Sequence, residues 1–392
     1  MQFSRVDFRP IASGGDDVTA ALKKLDLNFG DLQSALSDSG EIGARQIQLE
    51  AKMNRLATSM SAYRNRLING NFDFWQRGSV GTVPASSSRF LADRWRVRTV
   101  ESKVDVARVP LGVWAPVFPG CGRYAFRATV SSAGTQTSYA VLAQAVEDAA
   151  TLAGGKVTLS FWVYVSSPAG IGVELVQSNG GNVTTGIGSR KFVASTVGTW
   201  SRYATTIDVP ALSAPEGSGD NLQVIIWLDA GSDFAARSGG VGNQSATICI
   251  SQIQLETGDQ LASFERRPYA IEQQLCERYF QKSFDIDQPP VSTISAQPRA
   301  NMVYADTGVV ASVPLRVRMR VPPALTFWGS STVPSSGNNW VILSGTGWQA
   351  GQTAPFIVTE SEFSCTTIFP PGGFNTIKSI YVQGSWTADA EL

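Results

Sequence analysis

The chain has 392 residues, 43% hydrophobic and 16% charged, the composition of a folded globular chain with room for roughly two or three domains. Its 32 Lys+Arg balance 32 Asp+Glu, so no overall field draws it to nucleic acid. Histidine is absent, which removes the usual general base and every Ser-His, Cys-His or Cys/His-zinc arrangement.

Residues 1–15 open with MQFSRVDFRP, which lacks the apolar core of a signal peptide. Asp16 can cap a helix whose apolar residues fall at Val18, Leu22, Leu25, Phe29, Leu32 and Leu36. That spacing alternates four and three, as a heptad seam does. Gly30 weakens the helix, and SDSGE at 37–41 breaks the seam. The repeat restarts out of phase as Ile42, Leu49, Leu56 and Tyr63 at one core position, with Gln46, Met53, Met60 and Leu67 at the other. About seven heptads in all suffice for a coiled coil, so residues 16–69 read as an interrupted α-helical stalk. Gln46 can set register, while the mixed Leu/Met/Tyr seam does not fix the strand number. One long helix packed on its own domain is the other reading.

After Gly70 the period changes. Tyr124–Val130, Val157–Val165, Val173–Gln177, Arg202–Val209, Leu222–Leu228 and Ile248–Leu255 read as strands between Gly/Ser/Asn-rich turns. No helical pattern intervenes, so the fold expected over 70–268 is mainly β, an antiparallel sandwich or jelly roll. Residues 269–300 read as a short helix and linker. Residues 301–392 read as a smaller C-terminal β-domain, with strands near Leu315–Val321, Trp340–Ser344 and Ile380–Gln383. Cys121, Cys249, Cys276 and Cys365 are widely separated and form no CxxC pair. They are expected as small buried apolar residues, consistent with a reducing cytoplasm. No apolar run approaches the ~18–20 residues that span a bilayer, so no membrane insertion is expected.

Several ordered motifs stand in this chain: LINGNFDFWQRG at Leu67–Gly78, LADRWRV at Leu91–Val97, then LSFWVYV, TWSRYATTIDVP and SQIQLETGDQLASFERRP. Together they resemble the carbohydrate-binding-module-like jelly roll of bacteriophage tail-fibre and receptor-binding proteins, over roughly Leu67–Pro268. PYAIEQQLCERYFQK resembles the junction that follows this domain in the family, and MRVPPALTF resembles a strand of its C-terminal domain. GGDDVTAALKKLDLNFGDLQSAL resembles an N-terminal helix of phage tail proteins, although Leu27 stands where a small residue is usual. The resemblance implies a homotrimer whose N-terminal segment grips other virion tail proteins. It also implies a location in the virion tail after assembly in the host cytoplasm, and host cell-surface polysaccharide as partner.

The residues add a candidate site. Alternation along Val157–Val165 sends Trp162 and Tyr164 to the face opposite Leu159, Phe161 and Val163. Alternation along Leu222–Asp229 sends Gln223, Trp227 and Asp229 opposite Leu222, Val224, Ile226 and Leu228. Aromatic rings rimmed by polar groups suit sugars, because the C–H face of a pyranose stacks on a ring while its hydroxyls need fixed partners. These five residues form the candidate glycan site if their strands share a sheet. Packing in a trimer interface, or as a second core layer under a loop, is the competing account. Phe72, Phe74 and Trp75 read as a plug at the bottom of the sandwich, with Arg77, Asp93 and Arg94 pairing to fix the incoming chain. Trp114 is a loop candidate, and Trp348, in the Gly-rich GTGWQAGQT, is a candidate contact at the tip. Trp328, Trp340 and Trp386 serve either contact or core. Arg316, Arg318 and Arg320 alternate onto one face, for an anionic polysaccharide or for edge protection.

No carboxylate pair of the kind that cleaves glycosidic bonds stands out, and the glycine stretches lack the Lys-Ser/Thr of a phosphate loop. The expected function is therefore non-enzymatic adhesion by multivalent glycan binding, with no cofactor or metal. The alternative is a purely structural neck, head or baseplate appendage that binds virion proteins and no sugar.

Overall fold

In the computed structural model the described residues are 63–392, without 112–117, 119, 195, 216, 218, 292–297, 300–302, 306–307, 330–338, 345–346 and 369–380. Asp17, Ala20, Lys23 and Lys24 are described upstream. The arm, the Asp16 cap and the seam from Val18 to Met60 lie outside these residues. Asp17 Oδ1 accepts the Ala20 N–H at 2.6 Å, the bond of a helix cap.

Two members of the expected seam do not belong to it. Tyr63 sits at φ 64°, a left-handed conformation that no helix continues through, and Leu67 is fully buried in the sandwich core. The chain runs non-helically from Tyr63 to Leu67, where the Arg66 N–H reaches the Leu255 carbonyl at 2.8 Å. Burial of Leu67, worth about 1.5–3 kcal/mol, outcompetes continuation of the heptad.

Among the described residues, all paired strands are antiparallel. One six-stranded sheet runs in the order β1 (Val80–Val83), β4 (Lys103–Pro110), β5 (Tyr124–Ser131), β12 (Thr247–Thr257), β7 (Lys156–Val165), β10 (Ser201–Asp208). The facing sheet runs β2 (Ser88–Phe90), β3 (Arg96–Val100), β6 (Tyr139–Glu147), β11 (Asn221–Ala230), β8 (Ala169–Asn179), β9 (Asn182–Ala194). Period-two alternation buries one face of each sheet against the other. Leu159, Phe161 and Val163 meet the same core as Leu222, Val224, Ile226, Val97 and Leu142.

A helix, α1 (Tyr269–Glu277), follows, shorter than the 268–282 pattern suggests. The span expected as linker then supplies β13 (Phe280–Lys282), which pairs with the last strand, β22 (Ser385–Asp389). With β17 (Ala324–Trp328) these form a three-stranded sheet. Seven further strands make a second sheet: β14 (Pro298–Arg299), β21 (Tyr381–Gln383), β18 (Asn339–Ser344), β19 (Gly347–Val358), β20 (Glu362–Ile368), β16 (Gly308–Pro314), β15 (Val303–Ala305). Their common core contains Phe327, Trp340, Phe363 and Trp386. Gly384 is required beside it, since a Cβ there would stand 1.9 Å from the Trp340 ring.

Leu315–Val321 is not a strand. Its arginines therefore do not share a face: Arg316 pairs with Glu277 at 2.9 Å, Arg318 with Glu360 at 2.5 Å, and Arg320 donates to the Ala390 carbonyl at 2.9 Å. The four cysteines are free thiols, three of them buried and Cys121 half-buried.

Candidate functional site

The strands carrying the expected sugar site do not share a sheet. β7 presents Trp162 and Tyr164 on the outer face of the first sheet, while β11 presents Gln223 and Trp227 on the outer face of the second. The sandwich core lies between them, so these residues do not form one site. Asp229 leaves the set for a different reason. A β-bulge between Trp227 and Asp229 shifts the register, bringing Asp229 level with the inward-facing Ala140. There it is fully buried, accepting the Ser102 hydroxyl at 2.7 Å and the Gln244 N–H at 2.8 Å.

On the first sheet Trp162 stacks on Phe118, with ring centroids 4.3 Å apart. Tyr164 lies 5.8 Å from Trp200. Leu111, Ala125 and Cys249 complete a small apolar cluster, where burial pushes the Cys249 thiol up to about 11. Trp348 lies in β19, paired with Leu343, rather than in a loop. Trp114 is outside the described residues. Trp340 and Trp386 are buried core residues, and Trp328 packs edge-on against Phe284.

The outer face of the second sheet carries a groove. Val141 and Ala143 project from β6, with Arg98 and Arg96 opposite them on β3 and Trp227 and Ile225 opposite them on β11. Short side chains between long ones leave a channel along β6, part of a cavity of about 410 Å³. Tyr139, Thr137 and Val100 also line it, as does Gln223. Phe234 and Arg237 belong to the successive turns Ser232–Phe234 and Ala235–Ser238, the second of which packs against β9 and β8. Gly172 permits that approach, since a Cβ there would lie 2.3 Å from the Ser238 carbonyl oxygen. The turns press Phe234 to within 4.9 Å of Tyr139 and 5.5 Å of Trp227. Trp227 is left 2% exposed and Tyr139 8%, so neither offers the groove an open stacking face.

The charges of this groove are unequal in kind. Arg237 makes a two-pronged pair with the buried Glu174, at 2.6 and 3.2 Å. Arg96 and Arg98 make no ion pair and no side-chain hydrogen bond among the described residues; the Arg98 guanidinium stands 5.8 Å from the Tyr139 ring centroid. Burial, then the charge of Arg98, lowers the Arg96 pKa from its ordinary value. No carboxylate lines the cavity. Alternation in RWRVRT would have placed both arginines on one face of a strand. Tyr139, Phe234 and Arg237 carried no comparable signal, because the turns that gather them are not periodic.

The two N-terminal motifs form a structural lock instead. Phe72, Phe74, Trp75 and Trp95 are all buried. Asn69 donates to the Phe74 and Asp93 carbonyls at 2.9 and 3.0 Å, and its own carbonyl accepts the Trp95 indole N–H at 3.0 Å. Asp93 accepts two hydrogen bonds from Gln76, and burial raises its carboxyl to about 6. Arg77 reaches Asp389 at 2.9 Å and Glu391 at 3.3 Å, while Arg94 pairs with Glu391 and lies over the Tyr279 ring. The motif thus ties the sandwich to the end of the chain.

No protein-family model matches this chain, and no curated protein sequence matches it. Solved structures do resemble it. The enzymatically active domain of tailspike protein 4 from bacteriophage CBA120 is 14% identical over 50% of this chain, with a TM-score of 0.31. The match spans 22% of that tailspike chain. A family 11 carbohydrate-binding module from Clostridium thermocellum, in complex with a mixed-linked tetrasaccharide, is 10% identical over 47% of this chain and 99% of its own, at 0.28. A xylan-binding domain from Paenibacillus barcinonensis is 13% identical over 47% and 99%, at 0.27. The sandwich itself rests on this chain's own strand pairing.

Proposed function

We propose that this chain is a bacteriophage tail-fibre protein that adheres to host-surface polysaccharide, using the groove on the second sheet. The observation that carries this reading is the groove itself: an apolar floor flanked by aromatic and polar side chains in a cavity within the usual size range of ligand sites, about 300–1,000 Å³. The family resemblance of the motifs supports the virion setting, with residues 1–15 as the arm that grips other tail proteins and the chain from there to residue 62 as the stalk. Three copies on one stalk would make weak single-site binding strong through effective concentration. The groove binds without cleaving, because hydrolysis of a glycosidic bond needs two carboxylates and its lining offers none.

The test is saturable binding of the full chain to intact host cells and to extracted surface polysaccharide, with reducing ends assayed alongside. Binding without release of reducing ends is the expected result. The second reading is a structural appendage that binds virion proteins, with Trp162 and Trp227, which lie against Phe118 and Phe234 of their own chain, as packing residues. A folded, oligomeric protein that binds no polysaccharide would establish that reading.

A further inference from the structure

We propose that the ligand of the groove is an acidic saccharide, with the carboxylate of a uronic-acid unit held by Arg96 and Arg98 and its ring lying over Val141 and Ala143. This rests on the adhesion reading and names the class of sugar.

Arg96 and Arg98 are two residues apart on β3, so both side chains leave the same face of the sheet. They sit about 7 Å apart along the strand, close enough for two like charges to repel. Arg77, Arg94, Arg237, Arg267, Arg278 and Arg316 all have a carboxylate within ion-pair distance. Arg96 and Arg98 have none among the described residues, although Arg96 is partly buried. No carboxylate lines this wall, so neither guanidinium has an anion beside it in the groove.

The chemistry of the missing partner follows from the donors. A guanidinium presents a planar fork of N–H groups that fits a carboxylate with two parallel bonds. One anion between two such forks relieves their repulsion and satisfies both, and the apolar floor beside them strengthens each bond by excluding water. The floor admits the C–H face of a sugar ring. Nucleic acid fits poorly, because Trp227 and Tyr139 present no open faces for base stacking.

The experiment compares a panel of acidic bacterial surface polysaccharides in three forms, as extracted, after reduction of the carboxyl groups to alcohols, and after removal of phosphate. Full-length protein is used, with Arg96→Gln, Arg98→Gln and Arg98→Lys variants whose folding is checked by thermal melts. We expect carboxyl reduction and each Gln variant to weaken binding at least about tenfold. Arg98→Lys should keep part of the affinity, and binding should fall as sodium chloride rises from about 50 to 500 mM. Equal binding of the carboxyl-reduced form would overturn this inference and leave adhesion standing. Loss of binding only on phosphate removal would overturn the carboxylate assignment. Binding of no form in the panel would overturn both the inference and the adhesion reading.

Discussion

The motif lock and the sheet groove are built from the same kinds of residue, arginines among aromatic rings, and put them to opposite uses. In the lock, Arg77 and Arg94 lie over the rings of Phe280 and Tyr279 and reach Asp389 and Glu391. Every cation there has its anion within the chain, and removing one partner strands a buried charge. In the groove, Arg96 and Arg98 stand beside Tyr139 and Trp227 with no carboxylate in the lining. A paired buried arginine holds a fold together; an unpaired one on an apolar wall is poised for something outside it. The presence of Trp and Arg in a motif therefore says little about binding until their partners are known.

The largest effect should come from breaking the lock. Arg94→Ala leaves Glu391, 4% exposed, with only the 3.3 Å contact to Arg77, and should cost about 3 kcal/mol in urea-induced unfolding. Folded protein below its melting point should keep its polysaccharide affinity. Gly172→Ala tests the groove's far wall. The added methyl meets the Ser238 carbonyl, should displace the Phe234 turn, and should cost about 1–3 kcal/mol, with a measurable change in affinity.

A smaller effect distinguishes the lock by pH. The Asp93 carboxyl titrates near 6 in the fold against 3.8 as its ordinary value. Between these values the folded state holds the extra proton, so its contribution to stability falls as pH rises from about 4 to 6 and is flat above. Melting curves of wild type against Asp93→Asn should show that slope in the difference between them, because Asn does not titrate. The smallest stability change is expected in the groove. Arg98→Gln removes an exposed, unpaired charge and should alter stability by no more than about 0.5 kcal/mol, a result that would separate it sharply from Arg94→Ala.

Much of the sandwich was legible from period-two alternation. The strands around Phe161 and Ile226 fall where their patterns place them, with Leu159 and Val224 facing inward. The site was not legible as such, for three physical reasons. Alternation assigns a face but not a sheet, so Trp162 and Trp227 read alike although the core separates them. A bulge is silent in the pattern, and one extra residue turned Asp229 from the outer face to a buried acceptor. Coverage by a remote turn is also silent, and Phe234 closes over a Trp227 that its own strand would leave open. At the other end, a heptad phase carried through Tyr63 and Leu67 could not register the pull of the sandwich core on Leu67.

The most direct test of the account fills the groove. Ala143→Phe places a ring on the floor between Arg96 and Ile225, while Trp162→Ala alters the aromatic cluster of the opposite sheet. Both full-length variants would be titrated with host-surface polysaccharide by calorimetry, after thermal melts confirm folding. Ala143→Phe is expected to abolish binding and Trp162→Ala to retain it. Retention by Ala143→Phe with loss in Trp162→Ala would move the binding face to the other sheet and contradict this expectation.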